Sequence, residues 1–230
     1  MTWLAGALDR VWELMLVHLA LSVPPVILAF VCSVPIGWAA WRYRWSRGAL
    51  LSLCGILYAI PSLPLLVSLP AVLGTGARSP VNLVVALTLY GMALLVRASA
   101  DAFADVDGDV RLSATAVGYS GWGRFWAVDL PLAGPGMLAG VRVVIVSTVS
   151  LATVGAVIGI QSLGSLFTDG FQRNIPAEIW TGVIATVLLA FLLDAVAVLL
   201  GRILLPWTTA RDQAGAPARR RRAKRGAVAA

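Results

Sequence analysis

The stretch that decides the fold class runs from Val17 to Trp41 and reads VHLALSVPPVILAFVCSVPIGWAAW. No charged residue lies between His18 and Arg42. The hydrocarbon core of a bilayer is about 30 Å thick, and roughly 20 helical residues cross it. We therefore predict that this stretch is a transmembrane helix.

Four more segments have the same apolar character and lie at about residues 49–73, 81–96, 135–160 and 179–205. Only 13% of all residues are charged and 59% are hydrophobic, whereas a soluble domain has about 25% charged residues. The sequence thus predicts an all-α integral membrane protein with about five transmembrane helices. Prolines at positions 61, 64 and 70 interrupt hydrogen bonding within the second segment, so we expect a kinked or broken helix there.

The basic residues fall unevenly on the two sides of these helices. Of the 18 Lys and Arg residues, Arg10, Arg78 and Arg173 belong to one side and the other 15 to the opposite side. Basic residues accumulate on the cytoplasmic side of membrane proteins, so we expect the N-terminus outside and the C-terminus in the cytoplasm. The chain then divides into an external segment (1–16), a transmembrane domain (17–207) and a basic cytoplasmic tail (208–230).

The tail is rich in Ala, Gly and Arg, and we expect it to be disordered. Its run RRRRAKR lies just inside the predicted membrane boundary. Such runs fix the topology and contact anionic lipid. We therefore do not expect the tail to bind nucleic acid.

Several kinds of chemistry have no matching motif in the sequence. There is no GxxxxGK(S/T) phosphate-binding loop, and the single histidine, His18, cannot complete a His/Cys metal site. No Ser/His/Asp, HExxH or CxxC arrangement is present either. We expect no catalytic residues, metal or cofactor in this chain. Asp9, Arg10 and Glu13 precede the first apolar run in place of a signal peptide's basic region, so we expect that helix to be retained.

One polar stretch separates the third and fourth predicted spans, from Ala100 to Leu132. Small and apolar residues between Val110 and Val117 predict a short helix, and Gly118 is placed to end it in the left-handed conformation. A short helix with small residues is suited to docking into a groove of another protein. From these residues alone, a merely solvated loop helix remains an equal alternative.

This stretch resembles the cytoplasmic signature of ABC importer permeases, which reads EAA, then a glycine, then a hydrophobic residue followed by Leu-Pro. The residues at matching positions in this sequence are Ala114, Gly118, Trp122, Arg124, Leu130 and Pro131, with Ser113 at the first alanine. Leu112 stands where the signature has its glutamate. The resemblance therefore implies the helix but not the usual polar contact, and it suggests the divergent half of a heterodimeric pair.

In that family the segment, here at about 108–124, is a coupling helix that sits in a groove of an ATPase subunit. The residues that the resemblance assigns to ATPase coupling are Leu112, Ser113, Ala114, Thr115, Gly118, Tyr119, Trp122 and Arg124. ATP and Mg²⁺ would be bound by that partner, not by this chain. The implied architecture is the type I importer permease fold in a bacterial cytoplasmic membrane. A second permease subunit and an external solute-binding protein would complete the complex.

The resemblance is greatest to permeases of osmoprotectant importers, which carry glycine betaine, carnitine, choline or proline betaine. The matching pieces include AIPSLPLL in the second segment, LYGMALLVRA in the third and VDLPLAGPGMLAGVRV at the start of the fourth. Gln161, Ser162 and Gly164 follow the fourth span, and their positions make them candidates for an external gate.

Two charges lie inside predicted spans, Arg142 in the fourth and Asp194 in the fifth. Intramembrane charges are costly and are usually paired or face water, so we predict that these two residues interact. A role in bracing the two helices is favoured over a role in binding solute. We also expect Gly136 with Gly140, and Gly155 with Gly159, to form close-packing faces.

Other expectations concern residues near the predicted membrane boundaries. His18 and the tryptophans near helix ends, including Trp38, Trp41 and Trp45, are expected to be interfacial. Three alternatives to an osmoprotectant permease stay open at this point. These are a permease for another substrate such as an amino acid or methionine, a secondary transporter or small channel, and a membrane enzyme.

Overall fold

The computed structural model describes residues 2–207, and within that range all regular secondary structure is helical, with no β-strand. The predicted basic tail at 208–230 lies outside the described residues. In chain order the helices are α1 (Thr2–Arg42), α2 (Arg44–Ala59), α3 (Ser62–Leu73), α4 (Pro80–Ala104), α5 (Gly108–Ala116), α6 (Gly121–Arg124), α7 (Leu130–Ala152), α8 (Ser165–Gln172) and α9 (Pro176–Leu204). A π-helical turn (Phe125–Asp129) joins α6 to α7, and a 3₁₀ turn (Thr153–Ile158) extends α7.

Four helical stretches are long and apolar enough to cross a membrane, and the bent pair α2 and α3 makes a fifth if it counts as one span. The prediction of about five spans is therefore confirmed. Helix α1 has 41 residues, which at 1.5 Å per residue is about 60 Å, twice the hydrocarbon thickness. It runs without a break across the boundary expected between residues 16 and 17.

The second span is broken as the prolines predict, with α2 and α3 meeting at 102°. The break falls at Ile60 and Pro61, both extended. Pro64 lies in the first turn of α3, where a missing N–H costs no helical hydrogen bond. The Tyr90 hydroxyl of α4 donates a hydrogen bond to the Ile60 carbonyl. The carbonyl released by the break is thus satisfied inside the protein, as an apolar solvent requires.

Helix α4 is the centre of the bundle and packs against both α1 and α7. A side chain at Gly136 or Gly140 of α7 would collide with Ala102 or Ala98 of α4, at 2.8 and 2.7 Å from the added Cβ. The predicted packing role of this glycine pair is confirmed within the subunit. The second predicted pair does not form one face. Gly155 packs on Leu83, whereas Gly159 ends the 3₁₀ turn with φ of +85°.

Three residues expected at the membrane interface pack against other parts of the protein. His18 is fully buried, and its Nε2 lies 3.0 Å from the Val149 carbonyl oxygen. Trp38 and Trp41 are half-buried against Phe125 and Phe103, with ring centroids 5.4 and 6.2 Å apart. These three side chains pack against other helices, which hydropathy does not show, and their position at the membrane interface stays a prediction.

Candidate functional site

The candidate site is the coupling segment, which we define as residues 108–124. Its first helix, α5, begins after Asp107, whose side chain accepts a hydrogen bond from the Asp109 amide at 2.8 Å. The helix ends where predicted, because Gly118 has φ of +99°. Ser120 then caps α6 by accepting from the Gly123 amide at 3.1 Å. Local sequence therefore defines two short helices with a sharp turn between them.

A buried ion network fastens the coupling segment to the bundle. The Arg111 Nε donates to Asp129 Oδ1 at 2.8 Å, and the Arg124 Nε donates to Asp129 Oδ2 at 3.3 Å. The Asp129 side chain is only 1% exposed and that of Arg111 is 13% exposed. Arg111 also donates to the main-chain carbonyls of Val106, at 3.0 Å, and Phe103. One guanidinium thus joins α5 to the end of α4 and to the turn that leads into α7.

An aromatic cluster adds a third attachment, to the end of α1. The Arg111 guanidinium lies 4.2 Å from the ring centroid of Trp41, a cation–π contact. Trp122 stacks on Phe125 with centroids 5.7 Å apart, and Phe125 packs in turn on Trp38 and Phe103. The coupling segment is therefore attached to α1, α4 and α7 at once.

The outer surface of the segment carries four large apolar side chains. Leu112 is 69% exposed and Trp122 is 68% exposed, and Val117 and Tyr119 are exposed as well. We call these four residues the coupling face. Large apolar side chains that stay in contact with solvent at the end of a bundle are typical of a protein-binding surface. Because these side chains project from a segment held at three points, the surface is preformed.

A second polar feature lies within the spans. The Arg142 Nε and a terminal nitrogen of the same guanidinium donate to the two carboxylate oxygens of Asp194, at 2.7 and 2.8 Å. The structure thus brings together the two intramembrane charges singled out in the sequence. The pair is bidentate, which is the strongest geometry for arginine and a carboxylate. This contact is compatible with both roles considered for the pair, bracing the two helices and binding solute.

The three candidate gate residues have different surroundings. Gln161 is exposed, whereas Ser162 and Gly164 are buried. The Ser162 hydroxyl accepts from the Gly164 amide at 3.1 Å, and a side chain at Gly164 would collide with the Thr153 carbonyl. Ser162 and Gly164 therefore build a tight turn in this conformation. A gate role for the group stays a prediction.

Comparison with known proteins gives the family. Residues 26–210 match the family described as "Binding-protein-dependent transport system inner membrane component". This chain belongs to that family. The permease OpuCB of the Bacillus subtilis (strain 168) glycine betaine/carnitine/choline transport system is 29% identical over 82% of this chain and 86% of that protein. The osmoprotectant import permease OsmW of Salmonella typhimurium is 29% identical over 77% of this chain and 83% of that protein.

The fold of this transport component is shared with a solved importer. An inward-facing structure of the MetNI methionine ABC transporter matches with a TM-score of 0.76 over 89% of this chain and 99% of that chain, at 20% identity. This likeness confirms the type I importer permease fold. The family description also confirms an inner membrane component, as the apolar helices indicated.

Six of the eight residues predicted to couple this transport component to an ATPase are exposed, and the other two are partly buried. Ala114 is half-buried, and Arg124 turns inward, donating to Asp129 and to the Thr115 hydroxyl at 3.2 Å. Arg124 therefore helps to position the segment, and the coupling role of these residues stays a prediction. Sequence reasoning missed Arg111 and Asp129 as partners. The sequence contains only a weak indication of this pair: Arg111 lies directly before the signature, and Asp129 lies directly before its Leu-Pro.

Proposed function

We propose that this chain is the membrane-spanning permease subunit of an ATP-driven importer for an osmoprotectant such as glycine betaine, carnitine, choline or proline betaine. The observation that carries the proposal is the coupling segment, an exposed apolar surface attached to three membrane helices. The substrate class rests on relatives named for glycine betaine, carnitine, choline and osmoprotectant transport. The likeness to a methionine transporter supports the fold and does not favour methionine as the substrate.

In the proposed complex, two permease subunits, identical or sister chains, form the path. The coupling segment faces the cytoplasm, as the distribution of basic residues favours, and each segment docks into an ATPase subunit that binds ATP and Mg²⁺. A solute-binding protein delivers the osmolyte at the opposite, external end. ATP binding draws the two ATPases and their coupling segments together and opens the path outward.

The attachments of the coupling segment support this mechanism. Arg111 and Asp129 tie the segment to α4 and α7, and Trp41 ties it to α1. A force applied to the segment is therefore transmitted to α4, the central helix of the bundle, and to α1 and α7, which pack against it. We expect the contact between Leu112 and the ATPase subunit to be apolar, because Leu112 stands where the signature has a glutamate.

Replacing Trp122 with alanine is expected to weaken ATPase binding by roughly 30-fold, because a large exposed aromatic residue at a docking surface contributes about 2 kcal/mol. Solute uptake should fall with it, and loss of the stacking on Phe125 should lower the melting temperature of the isolated permease only slightly, because Trp122 is 68% exposed. The measurement is co-purification of the ATPase with the tagged permease, followed by titration of the purified subunits.

Trp45→Ala is the matched control, because Trp45 lies outside the coupling segment and is 85% exposed. This control should retain full ATPase binding. Equal binding by the Trp122 and Trp45 variants would show that the coupling face does not dock the ATPase.

Uptake competition tests the substrate class. Cells that depend on this transporter should accumulate radiolabelled glycine betaine, and excess carnitine, choline or proline betaine should compete. Methionine and other amino acids should not. Uptake of a labelled amino acid that osmoprotectants fail to inhibit would assign the permease to the alternative substrate class.

A further inference from the structure

The Arg142–Asp194 pair lies deep within the membrane-spanning part of the bundle. Arg142 is 12 residues from the start of α7 at Leu130, and Asp194 is 10 residues from the end of α9 at Leu204. At 1.5 Å per residue these separations are about 18 and 15 Å. An arginine side chain does not span that distance, and both ends of this guanidinium are already engaged with Asp194. The two charges therefore lie well inside both helices, away from these ends.

The pair is nevertheless open at the surface of the single subunit. The Arg142 side chain is 48% exposed and that of Asp194 is 20% exposed. Charged groups in contact with lipid tails carry a large free-energy cost, and in known membrane proteins they face the bundle interior or a water-filled cavity. In the assembled transporter this surface must therefore face water or protein, and not lipid.

The exposed side of α7 around the pair differs from the outer surface of α9. Ala139, Arg142, Val146 and Ser150 follow one another at helical spacing, and all four are exposed. We call these residues the α7 stripe. It combines the small or polar residues Ala139, Arg142 and Ser150 with Val146, and Val143 beside it is exposed as well, whereas Leu188 and Phe191 of α9 are bulkier, apolar and exposed. The α7 stripe suits a water-filled path and the α9 surface suits lipid.

An apolar groove in the described part of the chain is a poor alternative path. It has a volume of about 600 Å³ and lies between α1, α7 and α9. Its lining is almost entirely apolar, with residues such as Phe30, Met137 and Leu193, and it excludes both Arg142 and Asp194. A zwitterion would lose its hydration there without gaining a charged partner.

We propose that the α7 stripe lines the translocation path and that Arg142 and Asp194 form a transient binding site for a zwitterionic solute. The Arg142 guanidinium receives the solute carboxylate, and the Asp194 carboxylate faces the quaternary ammonium group. When the solute binds, its carboxylate replaces Asp194 as the partner of Arg142, and its ammonium group replaces Arg142 as the partner of Asp194. No charge is then left unpaired in the membrane. This inference rests on the proposed function and goes beyond it by assigning solute contacts to residues of the permease.

The first test is independent of the substrate. In the complete transporter with Cys32 and Cys54 replaced by alanine, Val146→Cys and Ser150→Cys should react with a membrane-impermeant, water-soluble thiol reagent. The matched lipid-facing control is Leu188→Cys, which should resist it. If Val146→Cys and Ser150→Cys resist the reagent as Leu188→Cys does, the α7 stripe does not line the path.

The second test compares solutes with and without a carboxylate. The variant Arg142→Gln/Asp194→Asn keeps a polar pair but removes both charges. We expect it to assemble with the ATPase and to lose at least tenfold in glycine betaine uptake, with a smaller loss for choline, which has no carboxylate for Arg142. The control is Arg47→Gln/Asp101→Asn, which removes an exposed ion pair elsewhere and should transport both solutes normally.

Equal losses for glycine betaine and choline, or no loss for either, would show that the pair is only a brace. The exchanged variant Arg142→Asp/Asp194→Arg keeps an ion pair between α7 and α9 but moves each charge to the other helix. Normal glycine betaine uptake by this variant would indicate a brace, and reduced uptake by an assembled transporter would indicate a solute-binding site. A wild-type transporter that takes up neither solute contradicts the proposed function instead, and the thiol reaction still decides whether the α7 stripe lines the path.

Discussion

Replacing Asp129 with alanine is expected to destabilise the permease by about 3–5 kcal/mol and to abolish solute uptake. Removing one partner of a buried ion pair costs this much because the other charge stays buried without compensation. Here the uncompensated groups are the guanidinium of Arg111, which is largely buried, and that of Arg124, which is half-buried. The loss is measured as a lower melting temperature and as increased susceptibility of the coupling segment to proteolysis in detergent.

Two further variants serve as comparisons for the stability of Asp129→Ala. Asp105→Ala removes an exposed acid from the link between α4 and α5 and should change stability by less than about 0.5 kcal/mol. Asp129→Asn keeps an oxygen that accepts a hydrogen bond and should fall between the two. If Asp129→Ala melts at the same temperature as Asp105→Ala, the network does not hold the coupling segment.

The second large effect is expected from Gly164→Ala. An added Cβ at Gly164 would collide with the carbonyl oxygen of Thr153 and come within 2.8 Å of the carbonyl carbon and Cα of the same residue. Backbone atoms cannot move aside as a side chain can, so the chain after the 3₁₀ turn must shift. We expect a loss of about 3 kcal/mol, at the upper end of the range for overpacking, measured as thermal unfolding in detergent.

Gly55→Ala provides the contrast for the same chemical change. No heavy atom lies within 4 Å of a Cβ built at Gly55 in α2. Alanine favours a helix over glycine by about 1 kcal/mol, so this variant should be neutral or slightly more stable. Similar destabilisation by both substitutions would mean that Gly164 is not required by the close approach of Thr153.

Much of the fold could be predicted because a membrane imposes strong local constraints. Apolar runs of sufficient length revealed the spans, and the break at Ile60 and Pro61 followed from proline chemistry. The end of α5 at Gly118 followed from the conformational freedom of glycine. Each of these features depends on residues that are adjacent in the chain, so the sequence shows them directly.

The interactions that the sequence did not reveal join distant positions. Arg111 and Asp129 are 18 residues apart, and at the opposite end of the bundle Arg10 contacts Glu178 across 168 residues. The buried His18 and the turn at Ser162 and Gly164 likewise depend on neighbours from other helices. Neither hydropathy nor spacing identifies such partners, because many polar residues of each type are available.

By itself the sequence determined that this chain crosses the membrane, that its second span is broken, and that a polar segment with a short helix separates the third and fourth spans. Val17 to Trp41 was sufficient for the first of these, since lipid excludes charge over a fixed thickness. Only the tertiary structure decided that the coupling segment is held by Arg111 and Asp129, and that the Arg142–Asp194 pair, whose contact the sequence predicted, is open at the surface. These contacts depend on how the helices pack, which local sequence patterns do not encode.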